Sequence, residues 1–339
     1  MYHEKLKTMR MKSIIQFFLT LIIAIQINNV NAQNDNTFTP YGNPVVLVFS
    51  NVNTSFNKNG NSGEFEITRA YLGYEYFFSK NISSRVNIDI GDPGVGKLQM
   101  TAFIKNAFLQ YKNNSFSARF GMIGVDQFGV QEKQWGYRYI YKSFQDAYNF
   151  GPSADLGAAF EYTPAKYITL DFSVQNGEGY KKLQSDSTLK TTFGVTLKPY
   201  KGFVLRGYFD MMNHNHNQTS VALYAGYSVK KFKTGIEYNI QKNNGMIDNH
   251  DFSGLSVYAS TAMDEKFTVF VRYDNLQSPA LAGSTNPWNY GKDGQLFMAG
   301  FDYSPTAGVK IAPTFSGWSP NDRSQNFTTT IALNFEIKF

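Results

Sequence analysis

The sequence predicts an all-β protein, a transmembrane antiparallel up-and-down β-barrel of about sixteen strands. Three observations lead to this fold class. Segments of about ten residues alternate apolar and polar side chains from Pro44 onward, every second connection between them is short, and aromatic residues gather beside the short connections. Strands with one face toward lipid and the other toward water have these features.

The last segment shows the alternation best. Phe335, Ile337 and Phe339 fall on one side of the strand, whereas Glu336 and Lys338 fall on the other. The predicted strands are 44–54, 65–77, 82–90, 101–111, 116–122, 153–163, 167–176, 190–198, 203–212, 219–228, 232–242, 253–262, 267–276, 294–303, 307–316 and 325–339. Short turns are typical of the periplasmic side of an outer-membrane barrel, so the alternation places both ends of a barrel of residues 44–339 on that side.

Aromatic side chains cluster at the strand ends next to the short turns. Amphipathic rings favour the headgroup level of a bilayer, so the cluster predicts one interfacial girdle. Its members are Phe77, Phe78, Tyr111, Phe116, Tyr162, Tyr167, Tyr200, Phe203, Tyr227, Phe232 and Tyr303. The alternative is a soluble β-sandwich or propeller with tyrosines in its turns.

The composition narrows the function classes. The chain has no cysteine, which excludes disulfides, thiolate nucleophiles and cysteine metal sites. Aromatic residues make up 16% of the chain and charged residues only 17%, a combination that fits a lipid-facing barrel. The lysines and arginines are scattered singly rather than gathered in a basic patch, which argues against nucleic acid as a partner.

The N-terminus is predicted to be an export signal covering residues 1–32. Arg10 and Lys12 precede an apolar run from Ile14 to Ile27, and Ala32 offers a small residue at a cleavage site. A membrane anchor is the alternative, but the run is shorter than the roughly 20 residues that cross a bilayer as a helix. Residues 33–43 would then be a periplasmic segment ahead of the barrel.

Charged residues recur on the polar faces of the predicted strands. A barrel of about sixteen strands is wide enough to keep a water-filled lumen, and isolated charges in a dry interior would be very costly, so water or mutual pairing is expected around them. The predicted pore-lining residues are Arg69, Glu75, Arg85, Asp89, Arg119, Arg206, Asp210, Arg272 and Asp274. The expected mechanism is steric and electrostatic filtering of small hydrophilic solutes, without a cofactor.

The connection between Met122 and Pro152, about 30 residues long, is the third long loop and is predicted to be functional. General porins fold their third loop into the barrel to form a constriction, and by that resemblance this loop is the candidate. Its predicted constriction residues are Asp126, Glu132, Lys133, Arg138 and Lys142. The alternative is an extracellular lid of solvated residues.

A more specific resemblance covers residues 65–180. The stretch from Phe65 to Glu75, the later Asn106–Tyr111 and Arg119–Gly121, and Asn176–Gly179 after a strand are similar to the opening strands of the phosphate-selective porin O/P family. The resemblance implies a sixteen-stranded homotrimer that takes up anions such as phosphate through lumenal arginines and lysines. Acidic residues on the same faces would oppose that selectivity.

Other motifs predict no metal or catalytic site. The stretch from Gly91 to Leu98 has the skeleton of a phosphate-binding loop, but it precedes a predicted strand rather than a helix. His214 and His216 are not accompanied by a third ligand nearby in sequence. The sequence therefore predicts a non-enzymatic channel of the bacterial outer membrane, in contact with its lipids. Phe339 resembles the terminal aromatic by which barrels are recognised by the assembly machinery. The alternatives are a barrel enzyme of the lipase or protease type and a binding barrel plugged by its loops.

Overall fold

A computed structural model of the chain describes residues 38–91 and 100–339, and Pro40–Phe339 form one compact unit. The predicted signal peptide and most of the Gly91–Leu98 stretch lie outside the described residues. The first strand begins at Tyr41, three residues before the predicted barrel boundary at Pro44. None of the helices in the described ranges is long and apolar enough to cross a bilayer.

The unit is a closed barrel of sixteen antiparallel strands in which each strand pairs with its neighbours in sequence and β1 pairs with β16. This confirms the predicted fold class. The strands are β1 Tyr41–Asn57, β2 Gly60–Phe77, β3 Ile82–Gly91, β4 Thr101–Lys112, β5 Phe116–Gly124, β6 Ala154–Ala165, β7 Ile168–Gln175, β8 Lys190–Leu197, β9 Phe203–Asn213, β10 Asn217–Ser228, β11 Phe232–Lys242, β12 Phe252–Ala262, β13 Phe267–Gln277, β14 Gly294–Thr306, β15 Val309–Pro320 and β16 Thr328–Lys338. The helices are α1 Gly129–Trp135, α2 Phe144–Ala147 and a 3₁₀ turn at Asn244–Met246.

The two ends of the barrel differ as predicted except at two connections: those that follow β1 and β9 lie at the opposite end and are also short. The connections that follow the even-numbered strands from β2 to β14 are short, and both ends of the barrel chain lie on this side because Phe339 exchanges backbone hydrogen bonds with Val46. Aromatic pairs mark the same end: Tyr41 stacks on Phe77 with ring centroids 4.7 Å apart, and Phe267 stacks on Tyr303 at 4.5 Å. We call this end the short-turn end.

The outer face of the barrel is apolar. Alternate residues such as Leu72, Phe120, Leu223, Phe297 and Ile331 are exposed on it, whereas their neighbours along each strand are buried or half-buried on the inner face. A closed sheet leaves no unpaired edge, so the backbone is satisfied even without water. The result is the two-faced surface that spans a bilayer.

Two β-bulges interrupt the alternation near the middle of the barrel. Thr68 on β2 has no partner, because Phe49 pairs with Arg69 and Ser50 with Ile67. Lys105 on β4 has none either, because its neighbours on both sides pair with β3. A bulge re-aims the side chains next to it. Arg69 directly follows the bulged residue Thr68, and Lys105 is itself the bulged residue of β4.

Candidate functional site

The third long loop, residues 125–153, lies inside the barrel. Four strands on the wall hold it through side chains: Arg206 on β9 donates to the Asp126 carbonyl at 2.6 Å, and Arg272 on β13 donates to the Lys142 carbonyl at 2.8 Å. Lys190 on β8 donates to Gln127 at 2.9 Å, and Tyr139 donates to Asp302 on β14. The loop therefore crosses the lumen, as the resemblance to general porins led us to expect.

Helix α1 shapes the first half of this loop. It ends at Trp135 because Gly136 takes a left-handed conformation, φ +77°, and its N–H closes the last turn on the Glu132 carbonyl at 2.9 Å. The chain then turns back along the wall. The Trp135 indole nitrogen donates to the Tyr141 carbonyl at 2.9 Å, which ties the return segment to the helix.

An aromatic cluster fixes the loop to one wall. Trp135, 1% exposed, contacts Tyr258 and Phe270 with centroid distances of 5.2 and 5.8 Å, and Tyr137 stacks on Phe270 at 4.8 Å. The other rings of the cluster include Phe49, Tyr139 and Tyr224. Truncating such a buried ring costs about 3–5 kcal/mol, so the loop is a fixed part of the barrel interior rather than a loose flap.

Tyr139 adds a hydrogen bond between this cluster and the barrel wall. Its hydroxyl donates to Asp302, and both residues are buried. Burial, together with the Asp302 carboxylate, raises the pKa of Tyr139 well above that of an ordinary tyrosine. The phenol therefore stays protonated and keeps its role as a donor.

The loop carries the predicted constriction residues in two groups. Arg138 forms ion pairs with Glu132 at 3.1 Å and Asp146 at 2.9 Å, away from the wall held by Trp135. Lys142 is partly exposed and interacts electrostatically with Asp146 and Arg138. Asp126 and Lys133 lie elsewhere: both line a cavity toward the short-turn end. The structure thus divides the predicted constriction set between two sides of the loop.

A second set of charges lies on β2 to β4. Arg69 is 3.8 Å from Asp89, whose other oxygen accepts a hydrogen bond from Tyr180 at 2.9 Å. Lys105 is 3.9 Å from the centre of the Tyr180 ring. Electrostatic interactions link both Arg69 and Lys105 with Asp146 on the loop. Loop and wall therefore form a charged boundary at this level of the barrel.

Lys105 and Tyr180 were not predicted to be site residues from the sequence pattern. The signal for Lys105 was the adjacent polar pair Lys105 and Asn106, which breaks the alternation where the bulge occurs. Tyr180 follows two glycines with positive φ, +108° at Gly177 and +85° at Gly179, a turn that L-residues would strain. A side chain on Gly179 would also approach Pro152 to 2.6 Å. This turn brings Tyr180 against β3, which its position in the sequence did not indicate.

Most of the remaining predicted pore residues are neutralised by partners on the wall. The buried pairs are Arg206 with Asp171 at 2.7 Å, Lys190 with Asp210 at 2.8 Å and Arg272 with Asp274 at 2.8 Å. Arg119 pairs with Asp126 at 2.6 Å. Arg85 donates to Asn87 at 3.0 Å, and Glu75 lies opposite Arg85 in the register of β2 and β3. Arg272 and Asp274 belong to the contact between loop and wall.

Below the loop, toward the short-turn end, lies a cavity of about 1210 Å³. We call it the vestibule. Its basic lining residues are Lys112, Lys133, Lys166, Lys198, Lys201 and Arg206, and its acidic ones are Asp126, Glu161 and Asp171. Arg206 is neutralised by Asp171, and Asp126 by Arg119, whereas none of the five lysines has an ion pair within the described residues. The vestibule therefore carries an excess of positive charge.

The histidines among the described residues do not form a metal site. The Nδ1 atom of His216 is 3.7 Å from Asp248, and both side chains are exposed. His250 stacks on Trp288 with ring centroids 4.4 Å apart. Among residues 38–91 and 100–339, no three histidine, aspartate or glutamate side chains converge in a way that could hold a metal ion.

The comparisons with known proteins find similarity in structure but not in sequence. No protein-family model and no curated protein matches the chain. The outer membrane channel DcaP of Acinetobacter baumannii has a TM-score of 0.67 at 12% identity, covering 88% of this chain and 97% of that one. The anion-selective porin from Comamonas acidovorans has a TM-score of 0.66 at 8% identity, covering 89% and 100%.

A trimer form of OmpT, an outer membrane protein of Vibrio cholerae, has a TM-score of 0.59 at 10% identity, covering 88% and 99%. Identities this low carry information about fold and not about function. The chain has the sixteen-stranded porin barrel fold.

Proposed function

We propose that the chain is an outer-membrane channel through which small hydrophilic solutes diffuse passively, with a preference for anions such as phosphate. The proposal rests on one observation: the third long loop divides the lumen and leaves a basic cavity on one side. Residues 125–153 cross the barrel, and the vestibule of about 1210 Å³ below them is lined by five lysines that form no ion pair with any residue the structure describes. A cleft lined by one sign of charge with low-dielectric walls concentrates counter-ions.

The boundary between loop and wall supports the same preference less strongly. Arg69, Lys105, Arg138 and Lys142 stand against Asp89, Glu132 and Asp146, so acids offset most of the bases. Exposed charges are screened beyond about 8 Å at physiological ionic strength. Selectivity for anions would therefore depend chiefly on the vestibule lysines.

Location and assembly follow from the same features. The apolar outer face suits outer-membrane lipids, and the export signal predicted for residues 1–32 would deliver the chain to that compartment. The exposed terminal Phe339 on the short-turn side is available to the barrel-assembly machinery. A homotrimer is proposed from the family resemblance and from the trimer form of one structurally similar protein.

The test is conductance of the refolded protein in planar bilayers, with reversal potentials measured across a KCl gradient. We expect discrete conductance steps and anion preference. Lys198→Glu with Lys201→Glu reverses two vestibule charges and should shift the reversal potential toward cations. Lys230→Glu with Lys231→Glu makes the same change on a short turn that does not line the vestibule, and should shift it far less.

Two results would overturn the proposal. Silent bilayers, with correctly folded protein, would favour the plugged binding barrel. Hydrolysis of lipid or peptide by the purified protein, abolished by a single serine, aspartate or histidine substitution, would favour the barrel enzyme.

A further inference from the structure

A separate pocket of about 410 Å³ lies on the other side of the third loop from the vestibule. Its walls are the Tyr141–Asn149 part of that loop, Trp318 near the end of β15, and the connection between β13 and β14 that contains Trp288. Its volume falls in the range of about 300–1,000 Å³ that small-molecule sites occupy. We call it the outer pocket.

Aromatic rings form the apolar walls of the outer pocket. Two of the three tryptophans in the chain, Trp288 and Trp318, line it together with Tyr148. The Tyr148 and Trp318 rings lie with centroids 6.3 Å apart and planes inclined by 30°. Two flat rings at this spacing offer adjoining apolar surfaces to one ligand.

Trp288 is held in place before any ligand arrives. Its indole nitrogen donates to the Asp251 carbonyl at 2.5 Å, one of its faces stacks on His250 at 4.4 Å, and its edge contacts Phe252 at 5.9 Å. A ring fixed by three neighbours loses little conformational entropy on binding. Its exposure to the pocket is therefore preorganised.

The polar lining of the outer pocket consists of amides and one ammonium group. Asn289 donates from Nδ2 to Asp293 at 2.9 Å, and Asn244 donates from Nδ2 to Gln241 at 2.6 Å. These hydrogen bonds fix the orientation of the two side-chain amides and therefore of their carbonyl oxygens. Asn149 and Lys292 have no side-chain partner in the parts of the chain that the structure describes. No carboxylate lines the pocket.

We infer that the outer pocket binds a neutral sugar ring. A pyranose has an apolar C–H face that packs on aromatic rings and a rim of hydroxyls that both donate and accept, as amide groups do. An anion would require more than one lysine among three amides, because desolvating a charge against aromatic walls is costly. The inference concerns binding alone, so it can hold or fail independently of the proposed conduction.

The test is binding of glucose and maltose to the full barrel in a zwitterionic detergent, since glycoside detergents carry the ligand chemistry themselves. We expect saturable changes in tryptophan fluorescence and in titration calorimetry with both sugars, and none with sorbitol, which has the hydroxyls but no ring. Trp318→Ala should weaken binding at least tenfold, and Trp318→Phe should restore part of it. Tyr200→Ala, an exposed aromatic at the short-turn end, should leave binding unchanged.

Because loss of a tryptophan could disturb folding, Asn149→Gly supplies a second test: it removes the amide at an exposed loop position whose φ of +59° glycine adopts without strain. It should weaken glucose binding severalfold while the unfolding midpoint in urea stays the same. Equal responses to sorbitol and glucose, undiminished binding by Trp318→Ala, or no saturable response to either sugar would each overturn the inference. Displacement of the sugars by inorganic phosphate would overturn it as well, because the pocket would then be an anion site.

Discussion

Arg272 is the side chain on which the junction between loop and barrel wall depends most. It is buried on β13, donates from Nε and Nη2 to Asp274 at 2.8 Å each, and donates from Nη1 to the Lys142 carbonyl at 2.8 Å. Its guanidinium also lies 4.9 Å from the centre of the Trp135 ring and 5.2 Å from that of Tyr141. One cation thus holds a buried anion, a loop carbonyl and two loop rings.

Arg272→Met keeps much of the side-chain volume but leaves the Asp274 carboxylate buried without its cation. Breaking a buried ion pair by removing one partner costs about 3–5 kcal/mol, so we expect the free energy of unfolding to fall by that amount. Arg272→Met with Asp274→Leu removes both charges and should recover most of the loss. A deficit of about 1–2 kcal/mol should remain for the hydrogen bond to the Lys142 carbonyl.

The assay is urea unfolding of the refolded barrel in micelles, followed by tryptophan fluorescence, to which Trp135 contributes beside the altered side chain. Arg323→Met is the matched control: this arginine is exposed in the loop between β15 and β16, and its loss should change stability by less than about 0.5 kcal/mol. Two results would refute the reasoning. The single variant could lie within about 1 kcal/mol of the wild type, or the double variant could be less stable than the single one.

Three further predictions concern the loop and the vestibule. Arg119→Ala leaves the Asp126 carboxylate without its partner at 2.6 Å, so the reversal potential in a KCl gradient should move toward cation preference, and an unchanged potential would contradict the assignment. Tyr139→Phe removes a hydrogen bond to the Asp302 carboxylate and should lower the free energy of unfolding by about 1.5–3 kcal/mol. Because the pKa of Tyr139 is raised, this loss should be equal at pH 7 and pH 9 in urea unfolding, and a loss at only one pH would count against a protonated donor. Partial burial in the loop lowers the pKa of Lys142, so its charge disappears at a lower pH than that of an ordinary lysine. Anion preference should therefore fall as the pH rises through the alkaline range below the usual lysine pKa of about 10.4, and Lys142→Met should remove that part of the pH dependence.

Strand positions were largely predictable because the period-2 pattern is local. The predicted segment 232–242 coincides with β11, and 267–276 ends one residue short of β13. The first hairpin was predicted too short: the pairing of β1 with β2 continues through the polar residues from Asn57 to Glu64. Strands that extend beyond the lipid need no apolar face, so hydrophobic alternation cannot mark their ends.

The candidate site was less predictable, because its contacts join residues far apart in sequence. Arg69 and Asp89 were assigned to the inner face from alternation alone, and the structure pairs them. Lys105 was missed because a bulge reverses the phase of the alternation in β4, and a bulge depends on pairing with β3. Tyr180 reaches Asp89 across ninety-one positions in the chain, a contact that no local pattern encodes.

By itself, the sequence determined that this chain forms sixteen two-faced strands with short turns at one end and a long third loop, because side-chain alternation and turn composition act over a few residues. Only the tertiary structure decided how the inward charges are used. Asp274 is two residues from Arg272, so their pairing follows from one strand face, but Asp171 meets Arg206 only through the register of β7, β8 and β9. Strand geometry and register neutralise these charges, whereas the vestibule lysines form no ion pair within the described residues. Electrostatic energy depends on distances in space, and the fold alone sets those distances.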